Sequence, residues 1–171
     1  MSINEDGSIH LTKKESEPHP PNRTCKNQII MTSLHSAADQ LNCPVAAIAN
    51  SLIFEISETK LPLLILTSGG HKVDLKLVGD GLGIKKLKRA TPDFVRQHTG
   101  FAIGGVAPIG HPEPIKTVVD VELSRFEKVW AAAGHPNTVF QITFEDLVRL
   151  SNGSISKVGE EIPETDPSMT K

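Results

Sequence analysis

The sequence contains little cysteine and no segment suited to a membrane. Its two cysteines, Cys25 and Cys43, do not form a Cys-x-x-Cys pair, which disfavours a zinc or dithiol redox motif. No apolar run is long enough to span a bilayer, and residues 1–6 lack the basic and then apolar pattern of an export signal. We therefore expect a cytoplasmic protein with reduced thiols and no membrane partner.

The chain also lacks a strong excess of charge. Its formal net charge is −2, so a nucleic acid could be bound only through a local basic patch. One basic stretch, residues 85–89, fits either a solvated face or a contact with phosphates. Charge alone favours the solvated face.

Three familiar catalytic patterns are missing. There is no Gly-x-Ser-x-Gly motif for a nucleophilic serine and no Gly-Lys-Ser/Thr for a phosphate loop. The i, i+4 spacing of helical metal sites is absent from the histidines of the central region, His35, His71, His98, His111 and His135. We interpret these histidines as solvated or hydrogen-bonded, and we expect neither a metal ion nor a cofactor.

The two ends of the chain are polar and differ in composition from the middle. Residues 1–26 are rich in proline and cannot bury enough apolar area to offset the entropy of ordering, so they are predicted to be a flexible tail. Residues 159–171 are predicted to be a second tail. Residues 27–158 are then a single folded domain.

Short helices and strands alternate irregularly within that domain. Residues 51–56 and 63–67 predict a hairpin, and residues 115–120 and 139–142 predict further strands. Helices are predicted after Asp74, Thr91 and Thr143, each a residue type that caps a helix N-terminus. The alternation indicates an α/β or α+β fold with a mixed sheet.

Residues 99–110 form an unusual stretch in which four glycines and a proline stand among apolar residues. Glycine allows a positive φ or a close approach of the backbone to a ligand. The stretch is interpreted as a partly buried loop whose backbone amides face a ligand. A glycine-rich hairpin or crossover beneath the core is the alternative.

Several ordered segments together resemble the YbaK family, bacterial deacylases related to the editing domain of prolyl-tRNA synthetase. The matching segments are residues 51–54, 66–74, 99–111, 118–120, 129–134 and 139–140. The resemblance implies a mixed, barrel-like sheet flanked by short helices. It also implies a freestanding enzyme that hydrolyses the ester joining a small amino acid, such as Ala, Cys or Ser, to a prolyl tRNA. The partners implied are the aminoacylated 3′ end of tRNA and an aminoacyl-tRNA synthetase.

The resemblance also implies a set of functional residues. The catalytic Gly-x-x-x-Pro loop maps onto Gly104, Gly105, Val106, Ala107 and Pro108. Asn50 stands where the family usually carries a lysine, and it is included in the catalytic set. The implied substrate-binding residues are Ser51, Ser68, Gly69, His71, Asp74, Thr99, Gly100, Phe101, Ile103 and Asp120. The implied tRNA-binding residues are Lys72, Lys76, Lys85, Lys86, Lys88 and Arg89.

Asn50 leaves two functions open. Asparagine keeps the capacity for hydrogen bonds but loses the positive charge that would assist a contact with phosphate. The chain is therefore expected to be either an aminoacyl-tRNA deacylase or a binding module of the same fold that recognises tRNA or a synthetase without turnover.

Overall fold

The computed structural model describes residues 34–136 and 138–161, together with the backbone of two short strands near the N-terminus. These strands, β1 (Ser2–Ile3) and β2 (Ile9–His10), pair antiparallel. The rest of the predicted N-terminal tail and residues 162–171 of the predicted C-terminal tail lie outside the described residues. Residues 159–161, which the sequence assigned to that second tail, form a strand instead.

Four α-helices are described: α1 (Leu34–Leu41), α2 (Leu75–Leu82), α3 (Pro92–Thr99) and α4 (Phe144–Ser151). Two 3₁₀ turns cover Val45–Ala47 and Val121–Arg125. The remaining strands are β3 (Ile48–Ile56), β4 (Pro62–Ser68), β5 (His71–Val73), β6 (Leu87–Arg89), β7 (Lys116–Asp120), β8 (Val129–Ala132), β9 (Val139–Ile142), β10 (Ser154–Ser156) and β11 (Gly159–Glu161).

The three predicted helix caps are confirmed. Asp74 Oδ1 accepts hydrogen bonds from the amides of Lys76 and Leu77 at 2.8 and 3.0 Å. Thr91 and Thr143 each accept from an amide three residues ahead, at 3.3 and 3.2 Å. These side chains satisfy amide donors that the first turn of a helix leaves unpaired.

The main sheet is mixed, as predicted. Its strands lie in the order β10-β7-β4-β3-β8-β9, and β6 also pairs with β3. The predicted hairpin is confirmed as the antiparallel β3–β4 pair, whereas β7 is parallel to β4 and β8 is parallel to β3. Strand β4 is buried along its whole length because it has a strand on each side and packed residues on both faces.

The sheet is not a closed barrel within the described residues, which corrects the barrel-like sheet implied by the resemblance. Closure would require the two terminal strands, β9 and β10, to pair with each other, and they do not. Helix α4 lies between these strands in the sequence and carries the chain from one edge of the sheet to the other. The edges therefore remain separate.

The two faces of the sheet pack against different elements. One face, called the loop face, carries Ala49, Ile53, Leu64, Leu66 and Val119, and it packs against α3, α4 and the glycine loop. The opposite face, called the α2 face, carries Phe54, Ile56, Leu63, Ile65 and Val118, and it packs against α2. Helix α1 covers Ile48 at one end of β3. No helix among the described residues has the length and apolar character needed to cross a membrane.

Candidate functional site

Strand β3 has an open stretch along one edge. Strand β8 pairs with its first two residues, Ile48 and Ala49, and β6 pairs with its last three, from Phe54 to Ile56. Between these two partners, no described strand pairs with this edge at residues 50–52. The backbone groups of residues 50–52 on this edge are therefore available to a ligand, which can bind an unpaired strand edge through main-chain hydrogen bonds.

The glycine loop, residues 100–110, packs through Val106 into the same apolar cluster as Ala49 and Ile53 of β3, and it is seated on the turn between β8 and β9. A Cβ on Gly105 would lie 2.7 Å from the backbone of His135 and of Pro136, so only glycine fits there. Gly104 has a φ of +85°, which an L side chain rarely adopts. The Gly105 amide donates to the Ala102 carbonyl at 3.0 Å and closes a turn. These constraints fix the shape of the loop without any functional side chain.

Three of the four amides in residues 104–108 have no acceptor among the described residues. The amides of Gly104, Val106 and Ala107 form no hydrogen bond there, although Val106 and Ala107 are buried. Buried amide donors are almost always paired, so these groups are available to an external acceptor. Amides held in place by a rigid loop can stabilise the negative charge that develops on a carbonyl oxygen.

Ser51 lies in the middle of the β3 gap. Its neighbours on alternate positions, Ala49 and Ile53, belong to the loop face, so the Ser51 side chain points to the same side as the glycine loop. Its hydroxyl oxygen is buried and has no hydrogen-bond partner within residues 34–136 and 138–161. An unpaired buried hydroxyl is costly unless a ligand supplies the partner. Ser51 is one of the implied substrate-binding residues.

His111 stabilises the loop from its far end. Its Nε2 lies 2.9 Å from the Ala107 carbonyl oxygen and donates to it, and its ring meets Phe101 edge to face. Burial lowers the pKa of His111, while the hydrogen bond to Ala107 opposes this shift. Sequence reasoning left His111 among the hydrogen-bonded or solvated histidines. Its position four residues after Ala107 was the only signal of the contact.

Asn50 points to the other side of the sheet. It lies opposite Thr67 on β4 and alternates with Ser51, which places its side chain on the α2 face. Asp120, at the end of β7, accepts from the Ser68 amide at 3.1 Å and lies 2.8 Å from His71 Nδ1. We call these five residues, Asn50, Thr67, Ser68, His71 and Asp120, the polar row.

The structure thus divides the implied site residues between two faces. The loop face receives Ser51, Ser68, Phe101, Ile103 and the Gly-x-x-x-Pro loop, whereas the α2 face receives Asn50, His71 and Asp120. Phe101 is half-buried and Ile103 is 56% exposed. The loop-face residues and the α2-face residues meet at the gap in β3, where Ser51 and Asn50 are adjacent in the sequence and point to opposite faces.

Four of the implied site residues have clear structural roles. Thr99 Oγ1 donates to the Val95 carbonyl at 2.7 Å and accepts from the Phe101 amide at 3.0 Å. Asp74 caps α2, and Gly100 ends α3 with a φ of +77°. Gly69 packs so closely on the Val45 carbonyl that a Cβ would collide with it. These contacts position the loop and the polar row.

The implied tRNA-binding residues are all exposed, but they fall into two groups. Lys85, Lys86, Lys88 and Arg89 lie in and before β6, the strand that borders the β3 gap. Lys72 and Lys76 lie on β5 and α2, and Lys76 forms an ion pair with Asp80 at 2.6 Å. Within the first group, Arg89 lies opposite Phe54 and is nearest the gap, whereas Lys85 and Lys86 lie towards the far end of β3.

A cavity of about 480 Å³ lies at the other end of β3. Its lining includes Ile56, Leu61, Ile84, Lys85, Pro114 and Lys116. None of the implied catalytic residues lines it. We regard the loop and the gap as the candidate site, because the unpaired loop amides and the Ser51 hydroxyl lie there and do not line the cavity.

The described residues form a mixed α/β domain in which the glycine loop packs against the central sheet. Residues 30–150 match the model of the family described as the aminoacyl-tRNA editing domain, and the chain belongs to this family. The resemblance to YbaK-type proteins is thereby confirmed.

Three similar proteins extend this result. YwhH of Bacillus subtilis, a protein described as uncharacterized, is 33% identical over 126 residues, which cover 74% of this chain and 77% of YwhH. EbsC of Enterococcus faecalis, a candidate Cys-tRNA(Pro)/Cys-tRNA(Cys) deacylase, is 24% identical over 126 residues, which cover 74% of this chain and 76% of EbsC. The crystal structure of a candidate trans-editing enzyme for prolyl tRNA synthetase has a TM-score of 0.70 at 36% identity, and the match covers 75% of this chain and 80% of that one.

Proposed function

We propose that this protein hydrolyses the ester bond of mischarged aminoacyl-tRNA. The observation that carries the proposal is the set of three loop amides, at Gly104, Val106 and Ala107, that have no acceptor among the described residues. Membership of the editing-domain family and the activity in the name of EbsC support it.

The loop amides would act on the carbonyl group of the ester. A water molecule adds to the carbonyl carbon, and negative charge develops on the carbonyl oxygen, where the amides stabilise it. The bond from the carbonyl carbon to the ribose oxygen then breaks, and that oxygen takes up a proton. The products are the free amino acid and an uncharged tRNA. The Ser51 hydroxyl, which lacks a partner, supplies one more hydrogen bond to the bound ester.

The substrate is a small amino acid on a prolyl tRNA. Apolar side chains of Ala102, Ile103 and Val106 follow one another in the loop and would form the wall around the amino-acid side chain. Such a wall excludes larger side chains but separates near-isosteres by only about 1–3 kcal/mol per methylene. Alanine, cysteine and serine are therefore the candidates.

The tRNA itself would be held by the basic residues in and before β6. Lys85, Lys86, Lys88 and Arg89 are exposed and flank the end of β3. Phosphate contacts from lysine and arginine supply affinity that falls as salt rises. A synthetase that presents the tRNA is the expected protein partner.

Asn50 supports one competing function, a binding module without turnover. The side chain is neutral where the family usually has lysine, and it lies on the α2 face, away from the loop amides. In that case the protein would bind tRNA or a synthetase and leave the ester intact.

The experiment that decides between them measures hydrolysis of Ala-, Cys- and Ser-tRNA(Pro), with Pro-tRNA(Pro) as the matched control. We expect at least one mischarged tRNA to be hydrolysed and the correctly charged one to be spared. We expect Asn50→Lys to lower KM and to steepen its salt dependence by about one phosphate contact. Salt-sensitive tRNA binding without hydrolysis of any of the four would instead establish the binding module.

A further inference from the structure

The polar row has a neighbouring group of carboxylates that the proposed deacylase reaction does not use. His71 is 7% exposed at its side chain, and its Nδ1 lies 2.8 Å from Asp120 Oδ2. The contact is close but not aligned as a hydrogen bond, so Nδ1 has no fully satisfied partner. His71 is thus a buried imidazole whose Nδ1 faces the Asp120 carboxylate.

Asp120 is rigidly held. It is fully buried, and its two carboxylate oxygens accept from the amides of Ser68 at 3.1 Å and Glu122 at 3.2 Å. A carboxylate beside Nδ1 favours the tautomer that carries its proton there. The lone pair of Nε2 is then available on the opposite side of the ring.

Two further carboxylates lie on that opposite side. His71 Nε2 is 3.9 Å from Glu122 Oε2, too far for a hydrogen bond. Glu161 joins them, and one ligand atom from each of the three residues lies within 4.8 Å of the others. Ligands of a tetrahedral zinc ion are about 3.3 Å apart, given bonds of about 2.0–2.2 Å. The ligand atoms are therefore farther apart than the ligands of a bound zinc ion. The Glu161 side chain is 73% exposed, so it can rotate to bring its carboxylate closer to the other two.

Arg125 occupies the outer side of the same group. Its Nη1 contacts Glu122 Oε1 and lies 3.3 Å from Glu161 Oε1, while Glu122 Oε2 remains directed to His71. Arg125 is 64% exposed, so it can turn into solvent when another cation takes its place. It compensates the negative charge of two glutamates and would compete with a bound cation.

We propose that His71, Glu122 and Glu161 form a Zn²⁺ site, with Asp120 as the residue that orients the imidazole. A histidine whose second nitrogen meets a carboxylate is the usual arrangement around protein-bound zinc. One imidazole and two carboxylates suit Zn²⁺ better than Mg²⁺, which prefers six oxygen ligands. A water molecule completes the coordination.

The ion would join three elements that are far apart in the sequence. His71 belongs to β5, Glu122 to the second 3₁₀ turn and Glu161 to β11. Strand β11 pairs with β5 over only three residues. Zinc would therefore stabilise the attachment of β11, independently of the deacylase reaction.

The test compares two adjacent glutamates on β11. Glu161→Gln removes a proposed ligand. Glu160→Gln removes the same charge from the neighbouring exposed residue, which lies opposite Lys72 in the β11–β5 strand pair. In calorimetric titration with ZnCl₂ we expect one ion per wild-type chain and an affinity at least tenfold weaker in Glu161→Gln. Glu160→Gln should bind as the wild type does. Zinc at a hundredfold excess over Kd should raise the Tm of the wild type by about 5–10 °C.

Arg125→Ala distinguishes a metal site from an ordinary network of ion pairs. If zinc displaces Arg125, this variant binds Zn²⁺ more tightly than the wild type does. Equal weakening by Glu161→Gln and Glu160→Gln, equal binding of Mg²⁺ and Zn²⁺, or no binding would each overturn the proposal. His71→Ala should abolish binding, and circular dichroism would confirm that the variants are folded.

Discussion

The two faces of the sheet carry polar groups of different kinds around a single strand, β3. On the loop face the available groups are mostly backbone amides, and their positions depend on glycines and on the His111–Ala107 hydrogen bond. On the α2 face they are side chains, and their positions depend on the buried carboxylate of Asp120. The first arrangement suits a neutral ester, whereas the second suits a cation.

This difference determines which substitutions damage each region. A backbone site is lost when the shape of the loop changes, even though no side chain contacts the substrate. A side-chain site is lost when one ligand is neutralised, even though the backbone is unchanged. Substitutions on the loop face should therefore leave Zn²⁺ affinity intact, and Glu161→Gln should leave deacylation intact.

The largest effect is expected for Gly105→Ala. Its Cβ would lie 2.7 Å from the backbone of His135 and Pro136, so the loop must move and carry its amides away from the ester. We expect kcat to fall about 10²-fold, comparable to the loss of one oxyanion donor. Single-turnover deacylation measures this.

Gly81→Ala is the matched control for that variant, because nothing lies within 4 Å of its Cβ. It should retain wild-type kcat. Full activity in Gly105→Ala would contradict the role of the loop.

Ser51→Ala should have opposite effects on activity and stability. The hydroxyl is buried without a partner, so its removal should leave the free energy of unfolding unchanged or raise it by about 1 kcal/mol. Loss of one hydrogen bond to the substrate should lower kcat/KM about tenfold. Urea unfolding and deacylation assays measure the two quantities.

Ser57 offers an internal comparison for Ser51, since its hydroxyl is also buried without a partner. It follows the last residue of β3, outside the gap. Ser57→Ala should change stability in the same direction and leave kcat/KM unaltered. A fall in kcat/KM of equal size in both variants would show that Ser51 has no special role.

The smallest effect is a pH dependence that originates at His111. Its pKa is lowered by burial, so the unfolded chain binds the proton more readily than the folded one. The free energy of unfolding should therefore fall as pH decreases from about 6.5 through the lower folded pKa. The ring is partly solvated, which keeps this contribution below about 1 kcal/mol.

His111→Gln removes the titrating group but keeps a donor for the Ala107 carbonyl. Its unfolding free energy should depend less on pH between about 5 and 7 than that of the wild type. An identical pH profile for wild type and His111→Gln would refute the assignment.

Much of the local structure could be predicted because its signals lie within a few residues. Asp74, Thr91 and Thr143 cap helices that begin at the next residue, and residues 139–142 form β9 as expected. The short strands β5, β6, β10 and β11 were not predicted. Each has three residues, too few to show a period, and each exists because a distant strand pairs with it.

For the candidate site, the sequence predicted the glycine loop but not the positions of Asn50 and His111. Glycines and a proline among apolar residues indicated a backbone site, because no other residue types permit that loop. The separation of Asn50 from the loop could not be foreseen, since it depends on the register of β3 with β4. His111 was missed because its acceptor is a carbonyl oxygen, which leaves no trace in side-chain patterns.

By itself, the sequence determined the caps, the hairpin and the glycine loop, because each depends on the conformational preferences of adjacent residues. Only the tertiary structure decided where β3 stays unpaired and which side chains meet beside it. In the part of the chain that the structure describes, this edge is open because β8 and β6 share one side of a longer strand. His71, Glu122 and Glu161 converge because β5, a 3₁₀ turn and β11 are brought together by pairing across the fold.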